Sequence, residues 1–330
     1  MKLKGIHHVS AITASGRKNY EFYTRVLGMR LVKKSVNQDD ISVYHLYYGD
    51  HKGSPGTALT FFEFPGTQPN RDGVSSISMI SLRVRSDEAL EFFRKRFEEM
   101  NVWHEEIRVR ANRKTLHFRD EEGQRLMLVS DEHDHGVAPG LPWKLSPIEE
   151  KHQILGLGPV RLTVRDDKKT LKVLKELMGY REIGVYSPEV PGQKDIRVLE
   201  VGEGGSGTEI HLEIRDDLDF ERQGHGGVHH VAFRVEDEAE LREWIDLVNG
   251  QGIRNSGFVE RFYFKSLYFR EPSGILYELA TDGPGFDTDE ELEYLGESLS
   301  LPPFLEHQRA YIEEHLRPLD TTVNREVQES

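Results

Sequence analysis

Two histidine pairs and one glutamate carry the most specific chemistry in this sequence. His7-His8 precedes Val9 near the start, His229-His230 precedes Val231 far downstream, and Glu278 lies among Leu276, Tyr277, Leu279 and Ala280. Each pair falls in a β-rich stretch, where neighbouring side chains alternate between faces, so one histidine of each pair points into whatever the strand encloses. Glu278 shares a face with Leu276 and Ala280, and a carboxylate held there needs a partner, because an unpaired buried charge is costly. Two neutral imidazoles and one carboxylate on one side of a metal leave adjacent positions open for substrate and dioxygen, the arrangement of non-haem Fe(II) oxygenases. A metal ligated by protein on all sides more often serves structure, so the ligand count is itself an argument for chemistry. A lone His-His pair on a strand is usually a packing or surface feature. Recurrence of the same dipeptide at the start of two like stretches, with a glutamate near the end of one of them, makes a metal site the better reading.

Composition narrows the setting. The 330 residues, 37% of them hydrophobic, suffice for two compact domains or one large one. No apolar run reaches the roughly 20 residues that span a bilayer, and Met1-Lys2-Leu3-Lys4 leads into strand-like sequence rather than an apolar signal segment. A soluble, cytoplasmic protein without a membrane partner is expected. Absence of cysteine leaves nitrogen and oxygen as metal ligands and excludes disulfides and thiolate nucleophiles. With 43 basic and 57 acidic residues, the formal charge of −14 opposes binding to a phosphate backbone, so nucleic acid is not an expected partner.

Elements that would bring such distant residues together are visible as a repeat. The first unit has a strand at 6–12, a helical pattern at 19–27 stopped by Gly28, and strands at 30–35, 42–48 and 58–64. The second repeats that order, with a strand at 77–84, a helix at 87–100, and strands near 103–109, 114–119 and 125–130. Residues 131–157, with Gly136, Pro139, Gly140, Pro142 and Pro147, read as a linker. The third unit shows a first strand at 159–164, a helix at 168–178 stopped by Gly179, and a last strand at 208–214. The fourth has a first strand at 228–233, a helix at 239–249 and a last strand at 274–279. A tail follows, with a helix expected at 303–316, a frayed polar end at 321–330, and packing across a domain or a second copy of the chain. The predicted class is α+β, built from four βαβββ modules: two in residues 1–130, two in 158–283, and a helical tail over 284–330.

These modules and the doubled His-His-Val resemble the vicinal oxygen chelate superfamily, in which βαβββ units pair into open barrels around a metal. More narrowly, the chain is similar to ring-cleaving dioxygenases that act on hydroquinones. The likeness runs through Gly5-Ile6-His7-His8-Val9, Val36-Asn37-Gln38-Asp39-Asp40, Gly53-Ser54-Pro55-Gly56-Thr57, Leu59-Thr60-Phe61-Phe62 and Leu301-Pro302-Pro303-Phe304-Leu305. It implies two open-barrel domains and Fe(II), or another divalent metal such as Mn, Ni or Zn, on His8, His230 and Glu278. It also implies a small aromatic substrate with dioxygen, as in aromatic compound degradation. The superfamily pattern places the ligand second in each pair, which leaves His7 and His229 to bond a substrate hydroxyl or to orient their neighbours. The same resemblance brings Arg261 to stabilise a phenolate and Tyr268 to donate to the same centre. Ser10, two residues beyond His8, shares its strand face and is a candidate hydroxyl near the metal.

Residues 77–82 and 159–164 carry no histidine, so modules two and three cannot repeat the site. The open question is Glu63, which ends module one roughly where Glu278 ends module four, as Glu213 ends module three. Four protein ligands would indicate a glyoxalase-like isomerase instead, and a non-catalytic small-molecule binding protein is the third alternative. Strand phase decides the matter, since a one-residue shift reverses the face.

Overall fold

The computed structural model describes residues 2–325. Module one runs β1 (Ile6–Thr13), α1 (Gly16–Glu21), β2 (Arg30–Asn37), β3 (Asp40–Gly49) and β4 (Ala58–Glu63). Module two runs β5 (Ser76–Val84), α2 (Asp87–Glu99), β6 (Arg108–Arg110), β7 (Arg113–Arg119) and β8 (Arg125–Ser130). Module three runs β9 (Ile154–Val164), α3 (Lys168–Lys172), β10 (Arg181–Tyr186), β11 (Ile196–Glu200) and β12 (Ile210–Ile214). Module four runs β13 (Val228–Val235), α4 (Glu238–Gly250), β14 (Val259–Glu260), β15 (Lys265–Arg270) and β16 (Leu276–Thr281). Helix α5 (Arg309–His315) lies in the tail. No helix among the described residues is long and apolar enough to cross a membrane.

Local sequence explains the repeat. Ser15 opens α1 by accepting the Lys18 amide on its hydroxyl, Ser86 does the same for α2, and Asp237 does so for α4 with its carboxylate. Helices α1 and α3 each continue into a π turn closed by hydrogen bonds from Leu27 N to Phe22 O (3.1 Å) and from Met178 N to Val173 O (3.0 Å). Gly28 and Gly179 follow at φ +69° and +76°, a left-handed conformation that glycine adopts without a Cβ penalty, and the chain turns back into its next strand.

Two eight-stranded sheets result, in the orders β14-β15-β16-β13-β1-β4-β3-β2 and β10-β11-β12-β9-β5-β8-β7-β6. Modules one and four share the first sheet, joined by antiparallel β1 and β13; modules two and three share the second through β5 and β9. On one face of the first sheet, Val9, Ala11, Val231 and Phe233 are buried in the main apolar cluster with Tyr23 and Leu27. The alternate residues His8, Ser10 and His230 are buried too, and each strand is thereby covered on both faces.

Several expectations need correction. Strand β9 begins at Ile154, inside the stretch read as linker, because Ile154 and Leu157 pair with Val84 and Leu82 of β5 and are buried there. Strands β10 and β11 went unassigned in the sequence; the exposure of most of β10, an edge strand, blurs its alternation. The tail is mostly irregular, since the helix expected at 303–316 is confined to Arg309–His315 after a short 3-10 turn. The tail is also anchored to module one. Arg30 donates to the carbonyls of Leu292 (2.6 Å) and Glu293 (2.9 Å), and Lys34 to those of Glu297 (3.1 Å) and Leu319 (3.0 Å). Thr321, expected to fray, is buried and donates to Gly296 O at 2.7 Å, and Arg325 pairs with Glu297; residues 326–330 of the expected frayed end lie outside the described residues.

Candidate metal centre and cavity

His8, His230 and Glu278 converge although they lie at opposite ends of the chain, and among the described residues they are the one group of three His, Asp or Glu side chains close enough to hold a metal ion. The β1–β13 pairing brings the histidines together, and the parallel pairing of β13 with β16 sets Glu278 beside Ala232, two residues beyond His230. Glu278 Oε2 lies 3.1 Å from His8 Nε2 and 2.9 Å from His230 Nε2, and the two imidazole nitrogens are 3.2 Å apart. Such edges match three ligands on one face of an octahedron, where two atoms at about 2.1 Å from a metal and at right angles are roughly 3 Å apart.

Protonation states follow from the outer hydrogen bonds. His7 Nε2–H donates to the Thr281 carbonyl (3.0 Å), so His7 Nδ1 accepts from His8 Nδ1–H (2.9 Å), and His8 Nε2 keeps its lone pair for the centre. His229 and His230 repeat the Nδ1-to-Nδ1 contact at 2.7 Å, and with His230 Nδ1–H as its donor the His230 Nε2 lone pair faces the same point. Burial and the neighbouring His8 lower the His7 pKa to about 3; burial and His230 do the same to His229. For Glu278, burial alone would raise the pKa, but the closeness of His8 and His230 holds it well below the usual carboxylate range. Ser266 on β15 donates to the outer oxygen, Oε1, whereas Oε2 is buried without a hydrogen-bond partner. Two lone pairs and an unsatisfied carboxylate oxygen facing one another call for a cation, so the residues present fit a metal.

A cavity of about 320 Å³ opens onto His8 and His230. Phe62 and Phe264 form aromatic walls, and His229, Arg261 and Tyr268 reach into it. Arg261 follows β14, donates from Nε to the Tyr268 hydroxyl (3.2 Å), and pairs with Asp39 (3.0 Å) from the turn between β2 and β3. Burial and Glu278 raise the Tyr268 pKa above its ordinary value, so its hydroxyl stays a donor. The two partner histidines divide: His229 lines the cavity, whereas His7 is fastened to the Thr281 carbonyl and packs on Phe264. Ser10 is fully buried, bonds Thr60 at 2.7 Å, and does not line the cavity.

Glu63 is separated from the centre by strand phase. Ser10 pairs with Thr60 across β1 and β4 as Ala232 pairs with Glu278 across β13 and β16, so Thr60 is the module-one counterpart of Glu278. Glu63 lies three residues on and faces the other way, accepting the Gly16 amide at 2.8 Å where α1 begins. The fourth corner is therefore a hydroxyl. Thr60 is tied to Ser10 and accepts from His45 Nε2–H (2.9 Å), whose Nδ1 in turn accepts from the Tyr47 hydroxyl (2.7 Å). Sequence reading missed Thr60, His45, Ser266 and Asp39 as site residues. Their signals were the i, i+2 polar alternation of β3 and the 36–40 stretch, which carries the turn that holds Arg261.

Residues 5–128 and 156–279 both match the family described as the Glyoxalase/Bleomycin resistance protein/Dioxygenase superfamily, and this chain belongs to it. Within that family the chain is 56% identical over 319 residues to the "Putative ring-cleaving dioxygenase MhqA" of Bacillus subtilis (strain 168), covering 97% of this chain and 100% of the relative. It is 28% identical to the chlorohydroquinone/hydroquinone 1,2-dioxygenase of Sphingobium indicum, over 92% of this chain and 93% of that protein. A crystal structure described as a "putative dioxygenase" from Bacillus subtilis superposes with a TM-score of 0.88 at 33% identity, covering 98% of this chain and 99% of the other.

Proposed function

We propose that the protein is an Fe(II)-dependent dioxygenase that opens the ring of hydroquinone-type substrates. The observation that carries this reading is the three-ligand centre whose fourth corner is the Thr60 hydroxyl rather than a carboxylate, facing a cavity walled by Phe62 and Phe264. An isomerase built on four protein ligands would need Glu63, which faces Gly16 instead. The names of the relatives that span nearly the whole chain support the same class.

When bound, the iron would supply open positions for substrate and dioxygen and a path for electron density between them. The chain's own groups would do the rest. Phe62 and Phe264 would hold an aromatic ring and keep water from its faces. With His229 Nδ1 accepting from His230, the His229 proton sits on Nε2 and would donate to a substrate oxygen. Tyr268 O–H would donate toward the same side, and its bond from Arg261 strengthens it as a donor. Together these groups would favour the phenolate form of the substrate.

The test is anaerobic loading with Fe(II), addition of methylhydroquinone, then admission of oxygenated buffer while oxygen uptake and product absorbance are recorded. Stoichiometric uptake with loss of the aromatic band is expected. No uptake with hydroquinones or catechols would overturn the reading.

A further inference from the structure

The second sheet encloses a cavity of its own, of about 240 Å³. Its geometry repeats that of the first. Thr163 pairs with Glu213 across β9 and β12 as Ala232 pairs with Glu278 across β13 and β16. Arg161, two residues before Thr163, therefore occupies the place of His230, and Glu213 the place of Glu278. A guanidinium standing where a ligand imidazole stands repels a metal ion, and no metal-ligating group of three occurs there among the described residues.

The charges lining this cavity balance, Arg119, Arg125, Arg161 and Arg215 against Asp72, Glu105, Glu189 and Glu213, with Arg215 also paired to Asp217 (2.8 Å) and Arg119 lying over the Trp103 ring (4.7 Å). Arg161 holds Glu189 through both terminal nitrogens (2.9 and 3.0 Å), and Arg125 pairs with Asp72 at 3.1 Å. Three directional groups remain. Arg161, its side chain 8% exposed, has a buried Nε–H with no partner. His117, its side chain 10% exposed, donates from Nδ1 to Glu105 (3.2 Å), so its partnerless Nε2 is an acceptor. Glu213 accepts from Thr163 on Oε2 (2.6 Å), and its other oxygen has no partner among the described residues. Buried polar groups without partners are few in folded proteins, and two of them along one cavity, Arg161 Nε and His117 Nε2, ask for a ligand.

We propose that this second cavity is a metal-free binding site for a small neutral dihydric phenol. Its hydroxyls donate to His117 Nε2 and Glu213, one hydroxyl oxygen accepts from Arg161 Nε–H, and the ring lies against Met79 and Leu218. Neutrality follows from the balance of the lining charges, an anion at Arg161 would have to displace Glu189, and two acceptors facing one donor select hydroxyl groups over carboxylates. The site is independent of the reaction proposed above, since no residue of the metal centre contributes to it.

The test uses metal-free Glu278→Ala protein, in which ring cleavage is disabled. Anaerobic calorimetric titration with methylhydroquinone should show saturable binding, and Trp103, whose ring meets that of His117 edge-on at 5.3 Å, should report it by fluorescence. His117→Phe and Glu213→Gln, each made in that background, should weaken binding about tenfold, the equivalent of one hydrogen bond to a buried group. Placed instead in the iron-loaded wild type, they should leave oxygen uptake unchanged. A crystal soaked with the same compound should show it between Arg161, His117 and Glu213. Absence of saturable binding, or density in the first cavity alone, overturns the proposal whether or not the variants fold.

Discussion

His7 and His229 make the same Nδ1 contact to a candidate ligand histidine but end differently, one on a carbonyl and one in the cavity. Replacing His7 by Phe removes the bond that fixes the His8 tautomer, and metal affinity should fall about 10–100-fold while KM for substrate is retained. Chelator competition followed by steady-state kinetics reads both quantities. His229→Phe should lower kcat as well, because it also removes a donor from the cavity. Glu278→Ala should abolish stable metal binding, measured as metal content after gel filtration; full retention would remove Glu278 from the ligand set. At this scale the ligand candidates are legible in sequence, since the doubled dipeptide marks two equivalent strand positions. The difference between His7 and His229 is not legible, because it depends on a carbonyl at Thr281 and a cavity wall built by other strands.

Strand register decides the chemistry available to the site. Thr60 holds the corner that a carboxylate would need in order to become a fourth ligand, so Thr60→Glu should close the open face. Expected results are a loss of oxygen uptake and a larger rise in Tm on metal addition than in the wild type, because the new carboxylate is buried and unpaired until a cation arrives. An unchanged metal-induced rise in Tm would show that the corner lies out of reach. The loop after β10 offers a pH prediction. Burial would raise the pKa of Glu189, but the charge and hydrogen bonds of Arg161, with the charge of Arg110, outweigh it and bring the pKa from 4.5 to about 2. Between those values the unfolded chain binds the proton more readily, so this contribution is present above about pH 4.5 and is lost on acidification toward pH 2. Glu189→Gln should flatten that part of the stability profile, measured by urea unfolding at a series of pH values.

Modules adjacent in sequence do not share a sheet with one another at the candidate metal centre; the first and last do, and the tail locks this arrangement from outside. Lys33 on β2 is fully buried and pairs with Asp289 (2.7 Å) and Glu290 of the tail. Lys33→Met leaves both carboxylates without their cation and should destabilise the protein by about 3 kcal/mol, read as a lower denaturation midpoint at constant m-value. A change below 0.5 kcal/mol would mean that the carboxylates reach water freely in its absence.

The βαβββ order, the helix stops at Gly28 and Gly179 and the candidate ligand types are decided locally, by periodicity, turn residues and the alternation of a strand. Edge strand β10 escapes such reading because an exposed strand loses its apolar alternation. Whether a glutamate at the end of a strand faces the metal or a helix is a matter of a single residue of phase, and only the pairing of β4 with β1 assigns Thr60 inward and Glu63 outward. The tertiary structure likewise decides that Asp39, from one end of the chain, holds Arg261 from the other, and that the second barrel carries an arginine where the first carries a histidine. Local sequence specifies which groups each strand offers; the long-range register between strands determines which of them meet.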